Sequence, residues 1–484
     1  MRIMMSWASA FRLRQYVKAS LWISPLFGLV LGVVLAELAI TADASDWPPS
    51  GWRYSATTAS GVLSSIVGSM IALLGFVVTI GVLVIQQATG TLSPRYMRLW
   101  YRDRLQKTVL ATFTGTFAFA FSLLRSIESS SVPDLGVTLA GGAVAVSLLL
   151  LLVYLNRFTH NLRPVAIADL VGRMGEDVFE RGTGMIRASA PDGGGGADSL
   201  GGRVTVVRAT RGGAVQALDT AGLVAVAARH DCVLSVPHVI GDYVHRGAVL
   251  VEIHGGTSIP DSRRVTGLIA LGPERTIEQD PAFALRVLVD IAIRALSPAV
   301  NDPTTAVQVL NHTESFLTVV GQSPLPGRYV LAGDDGKPRL VLRGRAWEDY
   351  LQLAVSEIRD YGATSVQVCR RLRALLDGLL DSLPPTHHPA VRGELVLLRE
   401  SVERAFPDAA RRSLAQTADS QGWEAAPGLA DSRGGRFSSQ AEPASHRVRA
   451  PARRCSTQPC RTAAPNPDSG YVHEAAKTSV QRAR

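Results

Sequence analysis

Four stretches of this chain are apolar over roughly 20 residues each, which is the length a helix needs to cross a bilayer. They run from about 21 to 40, 60 to 85, 109 to 127 and 136 to 155. A backbone in hydrocarbon must satisfy its own polar groups, so each stretch is expected to be a helix. Residues 1–157 are therefore read as an α-helical polytopic membrane domain. Ala42-Asp43-Ala44 resembles a signal-peptide cleavage site, but the apolar core before it is longer than that of a signal. The mean hydropathy of +0.15 agrees with a chain that partly meets lipid.

Charge in the loops alternates. Arg2, Arg12, Arg14 and Lys18 precede the first stretch. Arg95, Arg98, Arg102, Arg104 and Lys107, against Asp103 alone, separate the second from the third, and Arg157 and Arg163 follow the fourth. The other two loops carry mostly acids: Asp43, Asp46, Glu128 and Asp134 beside Arg53 and Arg125. The positive-inside rule then expects both termini in the cytoplasm. The net charge of +9 fits loops facing anionic lipid. No zinc-finger spacing or basic–aromatic stripe points to nucleic acid. Cys232, Cys369, Cys455 and Cys460 are scattered, as in a reducing compartment.

The second stretch holds a seam made only of small residues. Gly61, Ser65, Gly68, Ala72, Gly75 and Thr79 follow one another at spacings of 4, 3, 4, 3 and 4. Small residues let helix backbones approach closely in lipid. Two readings stay open: a seam between helices of one chain, or a self-association or pore-lining face that makes a homo-oligomer. A weaker stripe of Thr108, Thr112, Gly115 and Ser122 lies on the third stretch. No stretch has a charge at its centre, which argues against a proton relay. In LSPRYMRLWYRDR, Tyr96, Leu99, Trp100 and Tyr101 interleave with arginines, so Arg95, Arg98 and Trp100 are expected to anchor the loop at the lipid headgroups.

Beyond the membrane domain the pattern is that of a cytoplasmic α+β region. Residues 158–202 read as a helical linker followed by a Gly-rich loop, PDGGGGADSLGG, without the Gly-Lys-Ser/Thr of a phosphate loop. Residues 203–260 alternate as short strands, with Asp219 or Thr220 placed to cap a helix over AGLVAVAARH. This part resembles the small sandwiched barrels of biotinyl and lipoyl domains, so a small β-barrel-like subdomain is expected. It has no lysine at a hairpin tip, and no cofactor is implied. His230, His238, His245 and His254 match no metal-ligand spacing. Residues 261–412 read as a mainly helical subdomain with a hairpin near 328–343, turning at Asp335-Gly336. Its greasiest helix, PAFALRVLVDIAIRAL, places Arg286, Asp290 and Arg294 on one face, where they can pair. Residues 413–484 are rich in Ser, Ala, Pro and Arg without periodicity and are expected to be disordered.

The corner RALSPAVNDPTTA breaks that helix and restarts another. Pro298 disfavours helical geometry at Ser297, and Asp302-Pro303 supplies an N-cap acceptor followed by proline at the first helical position. Arg294, Ser297, Asn301, Asp302, Thr304 and Thr305 crowd the corner. Either they only shape and cap it, or they form a polar pocket at a helix N-terminus, where Asp302 would oppose an anion.

The phrase RTIEQDPAFALRVLVDIAIRALSPAVNDPTTA, with Leu92 to Arg95 and the GDYV segment, resembles a family of bacterial predicted membrane proteins, domain of unknown function 2254. The resemblance covers roughly residues 10 to 410, and Thr304 stands where that phrase is expected to carry an aromatic residue. It implies a multi-pass inner (plasma) membrane protein with a cytoplasmic domain and carries over no catalytic residue. The reading favoured is a homo-oligomeric channel- or transport-like protein with a gating or sensing domain, its ligand unknown. The alternative is a membrane-anchored sensor or scaffold without transport. An enzyme is disfavoured by the absence of a phosphate loop, HExxH, nucleophile elbow or paired-cysteine motif.

Overall fold

The computed structural model describes residues 6–43, 53–91, 95, 103–128, 132–161, 163–187 and 204–421. Helix α1 (Trp7–Ala19) leads into four long apolar helices: α2 (Ile23–Asp43), α3 (Ala56–Thr91), α4 (Arg104–Arg125) and α5 (Asp134–Asn161). These are the candidate membrane spans, within a few residues of the stretches expected. At one end Asp134 N–H donates to Asp43 and Tyr54 N–H donates to Asp134, both at 2.8 Å. At the other, Lys107 Nζ donates to the carbonyl of Lys18 at 2.5 Å and Arg157 lies 3.9 Å from Asp103. Lys18, Lys107 and Arg157 of the basic segments thus gather at one end of the bundle.

Helix α4 is central, half buried where the other spans are about a quarter buried. Its tightest partner is α2. A Cβ added at Gly28 or Gly32 would strike the backbone of Ala111 or Gly115, and one added at Gly115 would sit 3.0 Å from the carbonyl oxygen of Gly28. The buried residues of α2 are Gly28, Gly32, Ala36 and Ala39, all small. This contact uses backbone proximity where two leucine-faced helices would stand further apart. Thr116 and Ser147 add a buried hydroxyl pair at 3.2 Å between α4 and α5.

After α5, α6 (Pro164–Arg187) turns out to be more than a linker. Ile167, Ala168, Val171 and Phe179 are buried in the main helical core, against α9 (Pro281–Ala295) and α10 (Pro303–Gly321). The same core takes α11 (Trp347–Gly362), α12 (Val366–Ser382), α13 (His388–Ala405) and α14 (Ala409–Gln416). The packed fold runs past residue 413, because Asp419 closes on Arg370 at 3.0 Å with both side chains buried. From 422 onward the expected disordered tail lies outside the described residues.

Among the described residues the expected β-barrel is not found. The strands β1 (Val204–Arg208), β2 (Gly213–Leu218), β3 (Cys232–Val236), β4 (Tyr243–Val244), β5 (Val249–Gly255), β6 (Ile269–Gly272), β7 (Arg328–Ala332) and β8 (Pro338–Arg343) form two open sheets. One has the order β1-β5-β3-β8-β7, the other β4-β2-β6. The hairpin β7–β8 does turn at Gly336, but it then adds parallel to β3, Leu234 opposite Leu340. Strand β6 likewise pairs with β2. Strands from beyond residue 260 therefore take the edges that a closed barrel would have needed. Asp219 caps the intervening helix α7 (Thr220–Arg229), its Oδ1 accepting from Gly222 N–H at 3.0 Å. Short α8 (Ser262–Thr266) precedes β6. Helix α1 docks on the three-stranded sheet through Ala8, against Ala217 and Ala270.

The α2–α4 contact makes a direct test. Gly32→Leu is expected to lower the thermal stability of the detergent-solubilised protein by about 1–3 kcal/mol, the usual cost of overpacking. Gly68→Leu, where an added Cβ meets nothing within 4 Å, is expected to leave it unchanged. Equal melting of both variants and the wild type would refute the packing described.

Candidate functional site

The corner between α9 and α10 is built as its sequence suggests. Both helices begin with Asp-Pro. Asp280 Oδ1 accepts from Phe283 N–H at 3.2 Å, and Asp302 Oδ1 accepts from Thr305 N–H at 3.0 Å. Asp302 Oδ2 also takes the Thr305 hydroxyl at 2.5 Å. The Ser297 hydroxyl donates to the Arg294 carbonyl at 2.7 Å, and Asp302 N–H donates to the Ala295 carbonyl at 2.8 Å. Asn301 takes a left-handed φ of 48°, which asparagine tolerates better than other residues with a Cβ. Asn301, Thr304 and Arg294 are exposed, while Thr305 is buried. The hydrogen bonds of Ser297, Asp302 and Thr305 stay within the corner, so these groups shape the turn.

The small-residue seam of α3 faces outward. Gly61, Ser65, Gly68, Ala72, Gly75 and Thr79 are all exposed, and a Cβ at Gly61, Gly68 or Gly75 would meet nothing within 4 Å. The face of α3 that packs inside the chain carries Ala59, Leu63, Ile66, Met70 and Val77. Ala59, Leu63, Ile66, Met70 and Val77 precede members of the seam by two positions, and two residues turn a helix by about 200°. One helix thus presents bulk inward and smooth backbone on the opposite side. The companion stripe of α4 is used differently, Gly115 against α2 and Ser122 buried.

Of the interfacial anchor residues, Arg98 and Trp100 lie outside the described residues. Arg95 is described, and it contacts α9: its guanidinium pairs with Asp290. The expected pairing along α9 holds for Arg286 and Asp290, Nε to Oδ1 at 2.9 Å. Arg286 also grips Glu357 of α11 with both terminal nitrogens, one of them at 2.9 Å. The bond to Glu357, with the nearby Asp290, raises the Arg286 pKa against its burial. Four side chains, Arg95–Asp290–Arg286–Glu357, so run from the end of the α3 span into the helical core with balanced charge. Sequence periodicity shows only the Arg286–Asp290 step, which lies within one helix; the other two links join distant segments.

Arg95 also borders a cavity of about 710 Å³ between α1, the β2–β6 edge and the start of α9. Arg12, Arg211 and Arg275 line it too. Arg275 opens the phrase that carries the family resemblance and Arg12 belongs to the basic segment before the first span, but nothing in the isolated sequence would gather them with Arg211. Asp280, almost wholly buried, holds Arg275 Nε at 2.8 Å. Burial pushes the Asp280 carboxyl above its ordinary range, and the bond to Arg275 opposes that shift.

A family model described as predicted membrane protein, domain of unknown function 2254, matches residues 18–378. The chain belongs to that family. The match begins at the end of α1 and runs through most of α12, so it takes in the spans, both sheets and the ionic chain. The uncharacterised proteins Rv1290c of Mycobacterium tuberculosis and Mb1321c of Mycobacterium bovis are each 28% identical over 419 residues, covering 82% of this chain and 79% of theirs. No solved structure matches the chain.

If the corner serves shape, Asn301→Ala is expected to destabilise by about 1 kcal/mol through the left-handed backbone, and Asn301→Gly by no more than a few tenths. Chemical denaturation of the two variants decides it. An alanine variant as stable as the wild type would mean the backbone does not require Asn301.

Proposed function

We propose that the protein is a homo-oligomeric, channel- or transport-like protein of the bacterial inner membrane, with copies meeting along the small-residue face of α3. Both termini and the α/β region lie in the cytoplasm, where that region gates or senses. The observation that supports this reading is the direction of the seam. Within one chain, close helix contact in the membrane domain is made by small residues, at Gly28, Gly32 and Gly115. The same residue type repeats along the outer face of α3, where no described helix covers it. A second copy of α3 fits a smooth stripe at close range, and van der Waals contact drives such association in lipid. Ser65 and Thr79 bond to the carbonyls four residues back at 2.8 and 2.9 Å, which leaves the stripe nearly apolar. The concentration of basic residues at one end of the bundle supports the orientation.

A second reading is a membrane-anchored sensor or scaffold without transport. The ionic chain from Arg95 to Glu357 favours it equally, because it would carry a signal across the membrane surface with no pore.

The mass of the purified protein in detergent tests assembly. The wild type is expected to form a defined oligomer, and Gly68→Leu is expected to dissociate it without loss of melting temperature. An unchanged mass would reject the seam as the organiser. Solute or ion flux through liposomes holding the oligomer then separates the readings: tight liposomes across a broad panel would leave the sensor or scaffold.

A further inference from the structure

The cavity beside α1 sits where spans leave the bilayer. Helix α1 ends four residues before α2 begins, Arg95 follows the last residue of α3 by four, and Lys107 of α4 bonds to the α1 C-terminal carbonyls. Tyr16 and Trp22, both largely exposed, meet through Trp22 Nε1 and the Tyr16 hydroxyl at 3.4 Å. Aromatic side chains with a polar tip favour the headgroup level of a membrane. The cavity therefore lies at the end of the candidate spans, the level at which lipid phosphates are expected.

Its charge is lopsided. Arg12, Arg95, Arg211 and Arg275 line it, against one carboxylate, Glu278. Arg95 and Arg275 have acidic partners in Asp290 and Asp280. Arg12 and Arg211 have no carboxylate partner among the described residues; their bonds go to the Ser9 hydroxyl and the Leu271 carbonyl. An adjoining cavity of about 330 Å³ shares Arg12 and Arg211 and adds Arg263. Among the described residues lining the main cavity, the donors Arg275 Nη2 and the Thr276 hydroxyl are buried without a hydrogen-bond partner. An unsatisfied buried donor costs free energy, and an acceptor entering the cavity would relieve it. Asp280 holds the guanidinium of Arg275 from the Nε side, and its ring-side face lies 5.2 Å from the Phe283 centroid. Leu271 and Phe283 give the cavity an apolar wall.

We infer that this cavity binds a phosphate-bearing anion, with the headgroup of an anionic phospholipid as the source its place and apolar wall favour. Guanidinium groups match phosphate oxygens with paired N–H donors, and arginine is the usual residue at such sites. The anion would lie within reach of Arg95, which also holds Asp290, so occupancy shifts Arg95 between the ligand and the ionic chain. Binding at the membrane surface is thereby linked to the helical core. This inference does not depend on assembly through α3.

The test uses the full-length, delipidated protein in detergent, titrated with short-chain phosphatidylglycerol, short-chain phosphatidylcholine or inorganic phosphate, with melting temperature as the readout. Phosphatidylglycerol is expected to raise it and phosphatidylcholine, which carries a compensating cation, is not. A rise with inorganic phosphate as well would assign the site to phosphate from either source; a rise with phosphatidylglycerol alone assigns it to lipid. Arg12→Gln with Arg211→Gln is expected to weaken binding about tenfold or more, given the worth of charge-assisted hydrogen bonds. Arg12→Gln alone loses only a bond within its own helix, so it serves if the double variant folds poorly. Equal shifts with both lipids, no shift with any probe, or unweakened binding by Arg12→Gln would overturn the inference.

Discussion

The ion pair between Arg95 and Asp290 ties the membrane half of this protein to the rest. Asp290 sits on a helix whose other faces are almost entirely apolar, with 8% of its side chain exposed. A carboxylate there needs cations, and among the described residues it pairs with Arg286 from its own helix and with Arg95 from the chain that has just left α3. Glu357 balances the second arginine, so the set carries two charges of each sign. Arg95 itself is half exposed, which limits what its bond contributes in water. Its importance is positional: α3 is 36 residues long, about 54 Å at 1.5 Å per residue, and extends well beyond the hydrocarbon towards this pair.

The membrane domain shows one residue type used in two ways. Glycines on α2 and α4 face one another and bring two backbones into contact within the chain. Glycines on α3 repeat with the same regularity but face away, opposite the leucines and methionine that pack inward. On the outside of a bundle that smooth stripe is available to another membrane helix, whereas a purely lipid-facing surface needs no such regularity. The polar half repeats the theme of shared surfaces: α1 seals the three-stranded sheet on one side and closes an arginine-lined cavity on the other.

What the sequence makes legible follows from range. The spans, the Asp219 and Asp302 caps, the corner at Asn301 and the turn at Gly336 depend on residues near one another in the chain, and each is found where periodicity and turn chemistry place it. Sheet closure depends on distant partners. The hairpin is readable from Asp335-Gly336, but nothing local says that β8 will lie parallel to β3, so a barrel was expected where two open sheets stand. Helix α1 is short and weakly apolar, and it is defined by its dock on Ala217 and Ala270. Gly28 and Gly32 have a four-residue spacing as their local signal, but their partners Ala111 and Gly115 come from a distant segment that no spacing names. The arginines of the cavity come from separate segments, α1, the α3–α4 connection, the β1–β2 turn and the residues before α9, which only the fold brings together.

The claim that the two halves are joined through Arg95 and Asp290 is tested most directly by a double-mutant cycle. Stability would be measured for the wild type, Arg95→Ala, Asp290→Asn and the double variant in the same detergent. The account predicts that the single losses fail to add, with a coupling on the order of 1 kcal/mol for contacting charges in one network. Strict additivity would mean that the pair exerts no mutual hold, and that α3 and the helical core are not linked there.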